Sequence, residues 1–433
     1  MPLKRQLGLF DATLLVVGNV VGAGIFTTSG LLAQELPHPW LFVLIWVVGG
    51  ALTLAGAFTY AEMASALPYA GGDYQFLKAA YGHWAGFLLG WLCFWVIFPG
   101  SIAALSIALI KYIQVFFPTG GQISEKIMAI SVIFLLSLIN YRGIRLGATV
   151  QNLFTLGNLF ILFSFIALGL IVGKGNWENL QPSTIYIPFS KLFGPGMIAV
   201  IFTYSGWFAS AYIGSEIKNP GKNLPLSLLI GTCIVTLLYT LINLTYLYAT
   251  PISGLKNTIN VAEKAAVALF DPRFAYLISM AIILAISASI NATILTGARI
   301  YYAMAKDNTF LKCLGRGHPY YYTPYVAILT QAVLSIVFVI LGSFKELLSY
   351  VVFAMLLSSI ATGSAHFVLR LKKPDLSRTY HTWGYPFTPL LFIGFYIWIA
   401  WQIFWSRPYI SILGLGIAFS GVPFYVYRKF KLR

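Results

Sequence analysis

Long runs of hydrophobic residues, separated by short segments rich in charges, prolines and glycines, dominate the pattern along this chain. A helix that crosses the hydrocarbon core of a bilayer needs about 20 predominantly apolar residues. The pattern therefore predicts an all-α integral membrane protein with twelve spans. Their expected residue ranges are 10–33, 40–67, 85–117, 124–141, 146–173, 192–215, 226–249, 274–304, 324–342, 346–370, 386–406 and 409–427.

Composition and charge support this class and exclude others. Hydrophobic residues make up 59% of the 433 residues and charged residues 9%, whereas soluble domains carry about 25% charged residues. The net charge of +16 is not arranged as a basic run with interleaved aromatics, so no nucleic-acid partner is expected. The cysteines Cys93, Cys233 and Cys313 form no CxxC or His–Cys pattern, and we expect neither a disulfide framework nor a metal site.

The distribution of Lys and Arg predicts the orientation. With twelve spans, 19 of the 28 basic residues lie at the side that holds both termini and 9 lie at the other side. Because basic residues concentrate in cytoplasmic loops, both termini are expected in the cytoplasm, in a multi-pass protein of the cytoplasmic membrane. The longest gap between spans is loop-sized, so we expect a single membrane domain.

Two spans carry small and polar residues near their middle. The first contains Gly18-Asn-Val-Val-Gly22-Ala23-Gly24-Ile25-Phe26, and the sixth contains Phe202-Thr203-Tyr204-Ser205-Gly206-Trp207. These spans lie five apart and occupy matching positions in two halves of five spans. Interrupted helices in matching positions are typical of inverted-repeat transporters, whose substrate site lies at the bilayer midplane.

A broken helix leaves backbone groups that a ligand can bind. A half-helix that begins near Gly22 points free N–H groups and a positive dipole end into the gap, which suits a carboxylate. The carbonyl groups freed where the preceding half-helices end suit an ammonium group. We predict a carboxylate site at Gly22, Ala23, Gly24 and Ile25, and an amino-group site at Val20, Phe202, Thr203 and Ser205. Together they match a free amino acid.

Other interpretations of these residues remain open at this point. Gly18-x-x-x-Gly22 is also typical of a helix-packing face, and the glycine cluster fits a dinucleotide loop poorly because Thr27 replaces the third glycine. Polar residues of the fifth and eighth spans either form interhelical hydrogen bonds or, beside Val21, bind or replace a cation: Asn158, Ser287, Ser289 and Asn291. We expect a structural, hydrogen-bonded role for His366. The ionisable residues form no catalytic set, so an enzyme is not expected.

With these residues, the chain resembles the amino acid–polyamine–organocation superfamily, and within it the L-type amino acid transporter family, as a prokaryotic member. The resemblance covers nearly the whole chain. Five blocks in family order carry it: Gly18-x-x-x-Gly22-Ala-Gly-Ile-Phe26; Tyr60-Ala-Glu62 with Pro68-x-x-Gly71-Gly72-x-Tyr74; Phe202-x-Tyr204-x-Gly206-Trp207; Glu216-x-Lys218-Asn219-Pro220-x-Lys222-Asn223-Leu224-Pro225; and Leu369-Arg370-x-Lys372-x-Pro374-Asp375-x-x-Arg378-x-Tyr380 with Trp383-Gly384-Tyr385-Pro386.

The resemblance implies a leucine-transporter-like fold that works by alternating access. Two inverted five-helix repeats, residues 1–173 and 192–370, would precede two extra helices in residues 386–427. It also implies that N–H groups of Ala23 and Gly24 bind the substrate carboxylate and that the Phe202 ring gates the substrate. We add Trp207 as a second gate residue. No cofactor is implied, although transport coupled to Na⁺ or H⁺ is open.

Three departures from the family pattern matter. Asn158 stands where many relatives carry a lysine whose ammonium replaces sodium, so sodium dependence and unassisted exchange both become open. The loop between spans three and four has no cysteine, and no disulfide-linked heavy subunit is expected. Phe98-Pro99 replaces the Arg-Pro of animal members and, with the short termini, favours a bacterial protein.

We therefore predict a carrier of neutral amino acids, since the expected side-chain pocket holds no fixed charge. An amine or polyamine carrier is the alternative within the superfamily, although such substrates usually need acidic residues in the pocket. A channel or a nutrient sensor is the alternative from another class; a sensor would normally carry an appended signalling segment, which the short termini do not provide.

Overall fold

In the computed structural model, residues 3–118, 120–181, 194–258, 260–342, 344–406 and 408–431 are described. They form helices, and the β-structure of this part of the chain is limited to two isolated bridges. The α-helices are α1 (Leu9–Val20), α2 (Gly24–Glu35), α3 (Pro39–Ala66), α4 (Asp73–Tyr81), α5 (His83–Leu92), α6 (Phe98–Ile113), α7 (Gln122–Tyr141), α8 (Ile144–Val172), α9 (Pro195–Thr203), α10 (Ala209–Tyr212), α11 (Pro220–Ala249), α12 (Ile252–Leu255), α13 (Val261–Leu269), α14 (Phe274–Lys306), α15 (Tyr325–Leu341), α16 (Phe344–Lys372), α17 (Phe387–Ser406) and α18 (Pro408–Lys431).

Helices occupy all twelve of the predicted spans. Among the described residues, eight helical segments are long and apolar enough to cross a membrane, and α1 and α2 together form one further span that is bent by 43°. The ninth predicted span corresponds to the shorter apolar helix α15, and the twelfth corresponds to α18. The sixth corresponds to α9 and α10, and the first residues of its predicted range, 192–193, lie outside the described residues.

Several segments differ from the sequence prediction. The loop after the second span contains α4, and the loop after the seventh contains α12 and α13. The third span starts at α5 and passes through a π-helical segment, Cys93–Ile97, before α6. Periodicity did not predict α4 because its nine residues are too short for a span and mix apolar with charged side chains. In the sixth span the helix ends at Tyr212, earlier than the predicted 215.

The two ends of the helical bundle differ in the chain segments that they contain. We call the end that holds the first described residues and the α14–α15 connection the terminal face, and the other end the opposite face. At the terminal face the backbone N–H groups of Gln6 and Leu7 donate to the Glu216 carbonyl, at 2.8 and 3.0 Å. At the opposite face α2 ends, α9 begins and α17 ends. Helix α1 packs against α8, α11 and α14, whereas α2 packs against α9.

Candidate functional site: two helix breaks around a central cavity

The first broken helix loses its regular winding over residues 21–23. Helix α1 ends at Val20, and α2 begins at Gly24 with Ala23 as its N-cap. The first N–H groups of a helix have no partner within that helix. Here the Phe26 N–H bonds back to the Ala23 carbonyl at 3.2 Å. The N–H groups of Gly22, Ala23 and Gly24 therefore lie at the positive end of α2 and next to a cavity.

The second broken helix is interrupted over residues 204–208. Helix α9 ends at Thr203, and the Ser205 N–H closes a turn onto the Phe202 carbonyl at 3.0 Å. Gly206 has φ +97°, a conformation that side chains with a Cβ rarely adopt. The chain then forms one more helical turn, α10. The last carbonyl groups of α9 therefore accept no N–H group from a continuing α-helix.

Direct contacts hold the two breaks beside each other. The Asn19 side-chain amide donates to the Gly206 carbonyl at 2.9 Å. A Cβ atom on Gly24 would lie 3.0 Å from the Thr203 hydroxyl oxygen, so backbone from the two breaks approaches closely there. The anion-binding and cation-binding ends predicted from sequence are therefore neighbours.

Tyr239 of α11 is a site residue that the sequence analysis missed. Its hydroxyl group lies 3.0 Å from the Val20 carbonyl and 3.2 Å from the Thr203 carbonyl, one from each break. A tyrosine within a long apolar span carries no sequence signal that separates it from core aromatics. Both carbonyls keep a second lone pair for a further donor. In the described part of the chain, no hydrogen bond reaches the Ser205 carbonyl.

A central cavity of about 660 Å³ lies beside the breaks. This volume is within the range of small-molecule sites, about 300–1,000 Å³. It extends to Leu31, Ile198 and Ser406 at the opposite face, and its other end, which we call the cavity floor, is formed by Phe208, Tyr212 and Ser358. Further lining residues come from α6 and α16: Phe98, Ser101, Ala104, Leu105, Val351, Val352 and Met355. Every described lining residue is uncharged.

The structure brings most of the predicted binding residues to this cavity. The predicted residues that line it are Val20, Gly22, Ala23, Gly24, Phe202, Thr203 and Ser205. Ile25 is fully buried and is not part of the lining. Trp207 lies away from the cavity because it packs against Tyr60 and Phe392, with ring centroids at 4.7 and 5.9 Å. Of the two predicted gate residues, only Phe202 lines the central cavity.

The residues predicted for an ion site divide into two groups. The Ser289 hydroxyl lies 3.0 Å from the Gly18 carbonyl and 3.5 Å from the Val21 carbonyl, at the first break. The Thr155 hydroxyl on α8 contacts the Leu14 carbonyl of α1 at 3.4 Å. Asn158 lies one helical turn after Thr155, on the same face of α8. The Asn158 side-chain oxygen is buried and has no partner among the described residues.

Asn291 and Ser287, which were also predicted for the ion site, lie apart from Ser289 and the first break. The Asn291 amide donates to the Gly147 carbonyl and to Gln151, at 3.0 and 2.9 Å, and its oxygen accepts from Asn140 at 2.7 Å. These are interhelical hydrogen bonds among α7, α8 and α14. Ser287 is buried and is not a lining residue of the cavity.

The terminal face is closed by buried polar contacts. Arg299 and Glu216 form a bidentate ion pair at 2.8 and 2.9 Å, and both side chains have 0% exposure. The Lys218 N–H donates to the Leu7 carbonyl at 2.9 Å, so the first described residues are bound to the segment that follows Glu216. The predicted hydrogen-bonded His366 lies 3.2 Å from Glu62, which also binds Arg370 and Arg378. Within the described part of the chain, the cavity therefore extends to the opposite face and is separated from the terminal face by these contacts.

Together, an all-α bundle, two helices broken in matching positions and an uncharged cavity between the breaks define a multi-pass membrane protein of the transporter class. The family model described as amino acid permease matches residues 7–416, and the chain belongs to that family. The serine/threonine exchanger SteT of Bacillus subtilis is 31% identical over 99% of this chain and 97% of its own length.

Animal proteins match over a similar range. The large neutral amino acids transporter small subunit 2 of Homo sapiens is 29% identical over 98% of this chain and 80% of its own length. The Asc-type amino acid transporter 1 of Mus musculus is 28% identical over 98% of this chain and 81% of its own length. These names agree with the family resemblance inferred from the five sequence blocks.

Proposed function

We propose that this protein transports neutral amino acids across the cytoplasmic membrane by alternating access. The N–H groups of Gly22, Ala23 and Gly24 bind the substrate carboxylate, and the carbonyls of Val20, Phe202, Thr203 and Ser205 bind its ammonium group. One observation carries this proposal: residues of both helix breaks line the same cavity. Membership of the amino acid permease family supports it.

The cavity lining supports neutral side chains as the substrate class. Its walls next to the breaks combine Phe98, Leu105, Val351 and Met355 with the hydroxyl group of Ser101. A charged substrate side chain would lose its hydration there without gaining an opposite charge, which is unfavourable. The same argument weighs against an amine or polyamine, because the described lining has no acidic residue. The names of two relatives, which refer to large neutral amino acids and to serine and threonine, agree with this choice.

The mechanism that we propose uses the two predicted five-helix repeats, residues 1–173 and 192–370, with residues 386–427 as additional helices. Their matching breaks support this division. Both termini are placed in the cytoplasm, since basic residues are concentrated at the terminal face. The cavity then opens to the outside in this conformation, and the Arg299–Glu216 pair closes the cytoplasmic side. Phe202 lies on the cavity wall, where it can cover a bound substrate.

The oxygen atoms beside the first break form our proposed coupling-ion site. Ser289 and the carbonyls of Gly18 and Val21 already lie together, and the Asn158 oxygen is a buried acceptor without a donor. Oxygen ligands of this kind suit a hard cation such as Na⁺. Stimulation of uptake by a sodium gradient in the wild type, reduced in Ser289→Ala, would support this site. An unstimulated exchange would argue against it.

Uptake into proteoliposomes tests the proposed function. Radiolabelled neutral amino acids are offered with and without internal amino acid, under imposed sodium and proton gradients. Gly24→Val fills the gap against Thr203, and we expect it to abolish uptake. Gly394→Val is the matched control because a Cβ at Gly394 meets no atom within 4 Å. Absence of uptake of every amino acid by the wild type would contradict the proposal, as would normal uptake by Gly24→Val. Single-channel currents would indicate a channel instead.

A further inference from the structure

A buried carboxylate that the proposed binding of substrate does not use lies directly behind the cavity floor. Asp73 is the first residue of α4, immediately after Gly71 and Gly72, and is 1% exposed. One oxygen of its side chain, Oδ2, accepts hydrogen bonds from the hydroxyl groups of Tyr212 at 2.8 Å and Ser358 at 3.0 Å. Both donors line the central cavity. Asp73 is therefore separated from the cavity by a single layer of hydroxyl groups.

Among the described residues, no Lys, Arg or His side chain forms an ion pair with Asp73. Its second oxygen, Oδ1, is buried and lacks a hydrogen-bond partner in the described structure. The nearby cations are occupied, since Arg299 pairs with Glu216 and Lys78 pairs with Asp307 at 2.6 Å. An ionised carboxylate buried without a cation is unfavourable, so such a group tends to bind a proton. Burial raises the pKa of Asp73 to about 6.

The other groups that face Asp73 are hydroxyl and thiol groups. They come from α3, the π-helical segment, α10 and α16: Tyr60, Cys93, Tyr212, Ser358 and Thr362. The hydroxyl groups of Tyr60 and Thr362 are buried without a hydrogen-bond partner among the described residues. Three helices that pack against α4 carry ionisable cationic side chains. These are Arg299 on α14 and the exposed His83 at the start of α5. The third is His366 on α16, which contacts Glu62 and Thr382. The described side chains that interact with Asp73 are thus hydroxyl and thiol groups.

The contacts of Asp73 join elements that belong to different parts of the bundle. Tyr212 ends α10, the second half of the broken helix, whereas Ser358 lies in α16. The loop before Asp73 is attached to the end of α10. The Gly71 N–H donates to the Tyr212 carbonyl at 2.9 Å, and the Ala70 N–H donates to the Ser215 hydroxyl at 2.7 Å. Movement of α10 relative to α16 therefore changes the number of hydroxyl donors at the carboxylate.

We infer that Asp73 is a proton-binding site whose occupancy is linked to alternating access, an inference that rests on the proposed function. The ionised carboxylate needs the donors from both Tyr212 and Ser358, and it therefore favours the conformation that is closed at the terminal face. The proton adds to a carboxylate oxygen and gives a neutral acid, which no longer requires both donors. A proton that binds the two conformations with different affinity shifts their equilibrium, and by linkage a change of conformation takes up or releases the proton.

Two measurements on the full-length protein test this inference. The first is infrared difference spectroscopy of purified protein, in which the band of a protonated carboxyl group should titrate near pH 6 and be absent in Asp73→Asn. The second is the pH dependence of amino acid exchange in proteoliposomes, which should show a midpoint near the same pH in the wild type and lose it in Asp73→Asn. Asp307→Asn is the control. Its carboxylate pairs with Lys78, which lies on α4 as Asp73 does, but the Asp307 side chain is partly exposed.

Tyr212→Phe and Ser358→Ala provide a test that a purely structural role of Asp73 would not satisfy. Each removes a donor to the ionised form, so the midpoint should move to higher pH by about one unit. An Asp73→Asn protein with the wild-type infrared band or the wild-type pH midpoint overturns the inference, as do unchanged midpoints in both donor variants. The infrared titration does not require transport. A wild type that shows the band but transports no amino acid would instead contradict the proposed function.

Discussion

The side-chain amide of Asn19 donates to the backbone carbonyl of Gly206 at 2.9 Å, which joins the two broken helices across 187 residues of sequence. Asn19 lies one residue before the end of α1, and Gly206 lies in the middle of the second break. The left-handed conformation of Gly206 turns its carbonyl group toward Asn19, and a Cβ there would lie 2.7 Å from the Asn19 amide nitrogen. This contact fixes the separation of the proposed carboxylate and amino-group sites.

Replacing Asn19 by alanine should weaken substrate binding. The variant removes the side-chain donor to the Gly206 carbonyl, which keeps the Ala209 N–H at 3.2 Å, and the two breaks lose the contact that joins them. Loss of a buried hydrogen bond costs about 1–3 kcal/mol, so the KM for uptake should rise about tenfold. Asn152→Ala is a suitable control, because Asn152 contacts α1 at Asp11, away from the break. A KM equal to that of the wild type would show that the contact does not position the site.

Tyr239→Phe should reduce substrate affinity without unfolding the protein. The change keeps the ring, which packs against Trp46 and Tyr204, and removes only the hydroxyl group that contacts the Val20 and Thr203 carbonyls. We expect the apparent affinity to fall about tenfold, the equivalent of one net hydrogen bond. Binding of radiolabelled amino acid to purified protein measures this. Tyr246→Phe, which removes another buried hydroxyl group from α11, is the control.

The Arg299–Glu216 pair should be needed for stability of the conformation that is closed at the terminal face. Neutralising one partner leaves the other charge buried and unpaired, which costs about 3–5 kcal/mol. We expect Arg299→Gln and Glu216→Gln each to lower thermal stability and uptake, and the double variant to be more stable than either single one. A double variant whose losses simply add would show that the two side chains act independently.

Cys313 is a native reporter of membrane orientation. It is exposed and lies in the α14–α15 connection at the terminal face. If that face is cytoplasmic, a membrane-impermeant maleimide should label Cys313 in inside-out vesicles and leave it unlabelled in intact cells. Cys313→Ser provides the background, since Cys93 is buried and Cys233 lies within the span α11. Labelling in intact cells would reverse the proposed orientation.

The positions of the spans and of both breaks could be predicted from sequence for a physical reason. In a bilayer every backbone polar group must be satisfied, so long apolar runs form helices, and small residues in mid-span indicate where winding stops. Gly22, Gly24 and Gly206 indicated the positions of the two breaks in the sequence. The prediction of an amino acid permease was confirmed by the family match over residues 7–416.

The parts that could not be predicted depend on contacts between residues that are distant in sequence. Tyr239, Trp207 and Phe208 are all aromatic residues in apolar surroundings, and only the packing separates the cavity-lining Phe208 from Trp207. Asn291 resembled Asn158 as a polar residue in mid-span, but it is satisfied by α7 and α8. Asp73 fell in a predicted loop, and its burial follows from the folding of α4 against the bundle.

The most direct test of the central claim compares one neutral amino acid that binds with two of its derivatives, the amine that lacks the carboxylate and the 2-oxo acid that lacks the amino group. Affinities are measured by competition with the radiolabelled amino acid on purified protein. Because each end loses charge-assisted hydrogen bonds to a helix break, both derivatives should bind at least about tenfold more weakly than the amino acid. Equal affinity for the amino acid and either derivative would contradict recognition of a zwitterion between the two breaks.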